Sequence, residues 1–255
     1  MRSPPNLVAK WLATAEKSMS HRKAEPFEVG EKEARDRQNW ECVVSLRNTR
    51  VAAAIVLAAA WLSGPAVAAE PSYEDLLAQV KSGRLDIDYT ALRLSFASSP
   101  LYDPYGGVLI KAKDMISAYG AGDCTAAIAR AKEILEINFV QMDAHIVTGL
   151  CLKKAGDEDG ARKERVVYDG LVNSVLKSGD GKTPQTAFSV ISINEEYKVL
   201  AASGLVPVTQ SLVNAQGSSF DRFDAKTKTT GDPVTLYFNV DRMLARLSQT
   251  LQQGK

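Results

Sequence analysis

The chain has 255 residues, 45% of them hydrophobic and 24% charged, with 31 basic against 30 acidic side chains and a net charge of +1. That composition excludes wholesale disorder, collagen-like repeats and a polytopic membrane protein. The near-neutral balance removes the electrostatic basis for a nucleic-acid partner, and three cysteines are too few for the four of a zinc ribbon.

Arg47 and Arg50 precede an uncharged run, Val51 to Leu62, followed by Ser63-Gly64-Pro65 and Ala66-Val67-Ala68. A basic flank, a short apolar core, a helix breaker and a small-x-small site describe a secretory signal peptide over residues 47–69, cut after Ala68. The competing reading is an uncleaved anchor, since residues 51–69 are all uncharged and a bilayer span needs about 20. Ser63, Gly64 and Pro65 favour cleavage, so the membrane is met only transiently and the expected location is periplasmic or secreted. Residues 1–46 are charged and lack a sustained period. They read as an over-extended start, with Val43, Val44 or Leu46 as the true initiator, or as a cytoplasmic tail.

Residues 1–69 hold ten Lys/Arg and seven Asp/Glu, leaving 21 and 23 in the remainder. Cys42 and His21 leave with the leader, so Cys124, Cys151 and His145 remain. An even pair of cysteines in an oxidising compartment predicts one disulfide.

Ser72 caps a predicted helix over residues 73–80, with Glu74 and Asp75 in its first turn and Gly83 beyond its end. Asp86 and Asp88 introduce a second, stopped at Ser98-Ser99-Pro100. The turn-rich loop Leu101-Tyr102-Asp103-Pro104-Tyr105-Gly106-Gly107 leads into a third, over residues 108–119. Ala121-Gly122-Asp123 then recurs as Ala155-Gly156-Asp157, and Ala127 recurs as Ala161 at the same offset. That offset is the tetratricopeptide period of about 34 residues, and Ala144, His145, Thr148, Gly149 and Leu152 fall at spacings like those of such a repeat's first helix. About one and a half repeats are too few for a free-standing solenoid, so residues 70–178 read as a helical layer that needs another partner. Cys124 begins one helix and Cys151 ends the next. In an antiparallel pair turning near residues 138–141 they lie at the same end, which predicts their disulfide.

Beyond Ser178-Gly179-Asp180-Gly181 the period changes. Phe188, Val190, Ile191 and Ile193 read as a strand, and Asn194 as the cap of a short helix over residues 195–202. Residues 206–214 and 220–228 read as second and third strands. Val234, Leu236, Phe238 and Val240 alternate with Thr235, Tyr237 and Asn239 as a fourth. A terminal helix follows over residues 242–251. Helices followed by a mostly antiparallel sheet, residues 179–255 packing on the helical layer, define an α+β fold.

Several strings taken together resemble a known family: Leu85-Asp86-Ile87-Asp88-Tyr89 with Leu92-Arg93, Tyr102-Asp103-Pro104-Tyr105, Asp180-Gly181-Lys182-Thr183-Pro184 leading to Ala187-Phe188, Glu195-Glu196-Tyr197, and Thr235-Leu236-Tyr237-Phe238-Asn239. Their order is similar to that of an exported bacterial family known only as a domain of unknown function, with helical-repeat character in its middle. The resemblance spans about residues 73–247. It implies the export and fold readings and brings no activity.

Asp86, Asp88 and Asp103 are candidate cation or paired-carboxylate residues, because Asp-x-Asp sets two carboxylates together and the loop adds a third oxygen ligand. Helix capping and an Asp-Pro turn account for the same positions. Tyr102 and Tyr105, with Arg93, are candidates to line a groove for a peptide or glycan. Gly179-Asp180-Gly181-Lys182-Thr183 ends like a phosphate loop, but the required first glycine falls at Leu176 and no strand precedes it. His145 has no nucleophile motif beside it, and Glu195 and Glu196 sit where first-turn acids belong. No catalytic residue, metal set or cofactor motif is assigned. The expected function is a non-enzymatic module binding another envelope protein or peptide, the alternative being a divalent-cation-dependent or carboxylate-based hydrolase on Asp86, Asp88 and Asp103.

Overall fold

The computed structural model describes residues 71–106 and 108–253; the leader and residues 1–46 lie outside them. Six helices come first: α1 (Tyr73–Lys81), α2 (Tyr89–Ser98), α3 (Val108–Gly120), α4 (Cys124–Ile137), α5 (Met142–Lys154) and α6 (Glu158–Leu176). A single 3-10 turn (Pro184–Thr186) precedes β1 (Phe188–Ser189), α7 (Ile193–Ala202), β2 (Leu205–Ala215), β3 (Ser218–Thr227), β4 (Pro233–Asn239) and α8 (Asp241–Gln253). The sheet order is β1-β4-β3-β2, antiparallel except for the short parallel pairing of β1 with β4. The α+β class read from the sequence is the observed one.

Side-chain caps set the starts of α1, α2, α4, α6 and α7. Ser72 accepts from the Asp75 N–H at 3.1 Å and the Asp75 carboxylate returns the bond, a reciprocal cap that satisfies two orphan donors. Asp123 and Asp157, at matching positions of the repeat, cap α4 and α6 through bonds of 2.9 and 2.8 Å from Ala126 N and Gly160 N. The glycine before each has positive φ, 81° at Gly122 and 85° at Gly156. The same pair of backbone bonds closes each turn: Asp123 N to Ala118 O and Gly122 N to Tyr119 O, then Asp157 N to Leu152 O and Gly156 N to Lys153 O. The sequence repeat is therefore one helix-end geometry used twice, and only a residue without Cβ takes that backbone freely.

Two apolar clusters follow from the helix stripes. A small one joins α3, α4 and α5 through Met115, Ile116, Ala127, Ala131, Ile134, Val147 and Cys151. The larger one joins α1, α2, α6 and α7 to the sheet and α8, with Leu92, Phe96, Leu171, Val175, Tyr197, Phe223, Phe238 and Met243 at its centre. Tyr197 and Phe238 meet the Phe223 ring edge-on, each with centroids 5.5 Å apart, a favoured aromatic geometry. The disulfide joins Cys124 to Cys151 with 5.3 Å between Cα atoms, at the end of the α4–α5 pair where the spacing placed it.

Two expectations need correction. The strand expected through Ile193 pairs with β4 only at Phe188 and Ser189. Beyond it the Ile191 N–H donates to the Glu195 carboxylate at 2.8 Å and the Ile191 carbonyl accepts from the Tyr102 hydroxyl at 2.7 Å, so both backbone groups have side-chain partners in place of a ladder. The cap of α7 is Ser192, not Asn194. Asn194 is buried inside the first turn and donates to Asp143 of α5, which also pairs with Lys198.

Candidate functional site

The residues singled out in the sequence go to separate places. Asp88 caps α2, accepting from Thr90 N at 2.8 Å and Ala91 N at 3.0 Å. Asp86 is exposed and meets Arg84 at 3.4 Å. Asp103 accepts from Tyr105 N at 3.2 Å, and a side chain at Gly106 would strike its carboxylate. Asp103 also borders a recess of about 130 Å³ with Lys111 and Val108, which neither Asp86 nor Asp88 lines. Among the described residues, no group of three or more His, Cys, Asp or Glu is placed to hold a metal.

These roles have different expected consequences. Asp88→Ala should cost about 1 kcal/mol, the usual value of a lost N-cap. The double change Asp86→Asn with Asp88→Asn should keep the fold, since Asn caps as well as Asp. Millimolar Mg2+, Mn2+ or Ca2+ should leave the melting temperature of both proteins unchanged in a thermal scan. A cation-dependent rise lost in the double variant would instead favour the hydrolase reading.

Arg93 and Tyr102 are interior residues, 0% and 3% exposed, so the groove they were expected to line with half-buried Tyr105 carries neither. Arg93 Nη1 lies 2.8 Å from Glu195 Oε2 and donates to the Ser189 carbonyl at 3.0 Å, while its Nε donates to Ser174 Oγ at 2.9 Å. These bonds tie α2 and α6 to β1 and α7. Burial pushes the Glu195 carboxyl above its ordinary value, opposed by the Arg93 guanidinium and the Ile191 N–H. The Tyr102 phenol is raised by burial as well. Glu196 and Asp221 are a second buried acidic pair, both touched by the Gln210 amide, at 3.4 and 2.7 Å.

The Gly179–Thr183 segment forms no phosphate cradle. The Gly181 carbonyl accepts from Tyr237 N at 2.7 Å and its N–H donates to Thr186 O at 2.8 Å, so the loop serves to fasten β4.

His145 is buried and bridges elements. Nδ1 lies 2.7 Å from Glu164 of α6, and Nε2 lies 2.7 Å from the Phe139 carbonyl. Both ring nitrogens are thus occupied by structural partners. Gly149, one turn on, lets α5 approach α6: a Cβ there would stand 3.3 Å from the Glu164 Cβ and 3.4 Å from the Ala161 carbonyl.

Above this contact the two helices leave a groove of about 250 Å³ lined by Ile146, Leu150 and Lys153 of α5 and by Glu158, Arg162 and Arg165 of α6. Leu150 is 43% exposed. Arg162 and Arg165 hold exposed partners on their own helix, Asp159 at 2.8 Å and Asp169 at 2.7 Å. Lys153 makes no ion pair among the described residues. Exposed pairs are worth about 0–1 kcal/mol, so these guanidinium groups exchange readily onto an incoming carboxylate. The apolar floor and three cations at the rim suit an acidic segment with an apolar side chain. Sequence reasoning missed these positions, although Ile146, Leu150 and Lys153 recur at i, i+4 and i+7 and Glu158, Arg162 and Arg165 at the same spacing.

The molecule is thus an α+β domain whose helical part is clipped by one disulfide and opens a charged groove. The family model of the domain of unknown function DUF4919 matches residues 76–249, and the chain belongs to that family. No curated protein and no solved structure matches it.

Proposed function

We propose that this chain is an exported, non-enzymatic binding domain that takes an acidic, partly apolar segment of another protein in the groove between α5 and α6. The groove carries the reading: an exposed leucine in a concave setting, bordered by Lys153, Arg162 and Arg165 with Glu158 beside them, suits recognition, and the one histidine that reaches it, His145, has both ring nitrogens on structural partners. The paired helix-end turns at Gly122-Asp123 and Gly156-Asp157 support describing α3 to α6 as tetratricopeptide-like hairpins, whose concave faces hold extended peptides. Export is supported by the apolar run with its small-residue site at residues 51–68 and by the Cys124–Cys151 bond, since disulfides persist in oxidising compartments.

Fluorescence anisotropy with labelled peptides tests the reading. A peptide of alternating Glu and Leu should bind in the micromolar range, about −7 to −8 kcal/mol, and a Lys-Leu counterpart should not. Leu150→Glu, at an exposed position, should keep the fold and weaken binding at least about tenfold, because the new carboxylate removes the apolar floor, occupies the rim cations and repels an acidic peptide. Equal binding of the acidic and basic peptides, or indifference to Leu150→Glu, contradicts the assignment.

A further inference from the structure

A second cleft, of about 560 Å³, lies where the 3-10 turn, β1, the β2–β3 hairpin and the start of α8 meet. Its size is that of a small-molecule site, and it shares no residue with the α5–α6 groove.

Its lining is polar but mostly uncharged: the carboxamides of Gln185, Gln216 and Asn239 and the hydroxyls of Ser189 and Ser218, with Arg242 as its one cation. None of the large exposed apolar residues borders it, and its aromatic member, Phe220, is buried. Peptide and lipid ligands need large apolar anchors, and beside buried Phe220 this cleft offers only Pro184, Ala187 and Ala215. A ligand rich in hydroxyls needs many neutral donors and acceptors, which it has.

The acid beside Arg242 is already committed. Asp241 accepts from Ser219 N at 2.8 Å and from the Asn239 amide at 3.0 Å. Burial acts to raise its carboxyl, and these donors with the Ser218 hydroxyl outweigh burial and hold it below the ordinary carboxylate range. Arg242 is exposed and makes no ion pair among the described residues, so its guanidinium is available to an anion entering the cleft.

Gln216 gives an independent indication. It has φ +54° and Gly217 has φ +81°, left-handed backbone at both central positions of a two-residue hairpin. Gln216 is the one non-glycine with positive φ among the described residues. Asn, Asp or Gly is the favoured residue there, because a longer L side chain is strained in that region. A turn optimised for stability alone would carry Asn-Gly. The extra methylene of Gln carries the carboxamide further out, and this side chain borders the cleft. Strain kept at a cleft rim is the pattern of a position held for binding.

We propose that this cleft binds a saccharide of one or two rings bearing a single carboxylate. Arg242 takes the carboxylate, and Gln185, Gln216, Ser189 and Ser218 hydrogen-bond the hydroxyl and acetamide groups. The assignment is independent of peptide binding at the α5–α6 groove, and either can fail alone.

Calorimetric titration of the full chain tests it with two probes: hyaluronan disaccharide, which carries one carboxylate, and diacetylchitobiose, which carries none. The acidic disaccharide should bind with a submillimolar Kd and the neutral one at least about tenfold more weakly, the scale of one lost charge-assisted contact. Arg242→Gln should bring the acidic sugar down to the level of the neutral one. Gln216→Asn should raise the melting temperature by about 2–4 °C through relief of the turn and weaken both sugars several-fold. The proposal is overturned if neither sugar binds at millimolar concentration, if Arg242→Gln leaves the preference intact, if Gln216→Asn binds as the parent does, or if a Glu-rich peptide occupies this cleft instead.

Discussion

Glu195→Ala is expected to lower the unfolding free energy by about 3–5 kcal/mol, the range seen when one member of a buried ion pair is removed. Arg93 and Glu195 are 0% and 1% exposed, and the loss goes beyond one contact. Glu195 Oε2 accepts from both Arg93 Nη1 and Ile191 N, so the truncation leaves a guanidinium and an amide N–H without their acceptor in the interior. Arg93→Ala should cost a similar amount and carry a pH signature. Burial already raises the Glu195 carboxyl, and removing the cation raises it further. A carboxyl that holds its proton to a higher pH when folded stabilises most below the unfolded value, and that contribution is lost as pH rises through the folded one. The Arg93→Ala defect should therefore be smaller near pH 5 than near pH 8. The double change Arg93→Met with Glu195→Leu should recover most of the loss, because a buried pair is often no better than matched apolar packing. Urea unfolding of the four proteins decides this; single variants within about 1 kcal/mol of the parent would mean that the pair does not hold the helical and sheet parts together.

Reduction of Cys124–Cys151 is expected to cost about 3–4 kcal/mol, the chain-entropy value for a loop of this length. The bond spans 27 residues and closes the α4–α5 hairpin beside the smaller apolar cluster, in which Cys151 is wholly buried among alanines and Ile134. That cluster is small and four of its nine buried members are alanines, so its total apolar gain is modest and the covalent clip adds substantially to its stability. Cys124→Ala with Cys151→Ala should shift the urea midpoint as reduction does, without changing the remote Arg93–Glu195 contribution. Intact mass and thiol titration check the proposed export and the disulfide together: a chain beginning at Ala69 or Glu70 with no free thiol is expected, and two free thiols would contradict it.

What the sequence disclosed was local. Ser72 and Asp88 announced helix starts because a cap and its donors lie within three residues, and the Gly-Asp repeat marked two turns at which Asp123 and Asp157 prove to cap the following helices. The alternation of β4 marked a strand with one face on the core. The disulfide was legible because a helix hairpin brings Cys124 and Cys151, far apart in the chain, to one shared end. Arg93 and Glu195 stand 102 residues apart, and no local pattern announces such a pairing, so Arg93 read as a groove residue and Glu195 as an ordinary first-turn acid. The expected strand through Ile193 failed for the same reason, since Glu195 and Tyr102, brought in by the fold, take the Ile191 backbone groups. The α5–α6 groove was hidden in a helix pairing that the repeat hinted at through Gly149 but whose open face only the packing reveals.

The most direct test of the proposed binding role is an NMR titration of the isotope-labelled full chain with the Glu-Leu peptide. Peptide capture between α5 and α6 predicts shifts concentrated at Ile146, Leu150, Lys153, Arg162 and Arg165, with β2 to β4 unchanged. Shifts that map to the sheet, or none at millimolar peptide, would contradict it.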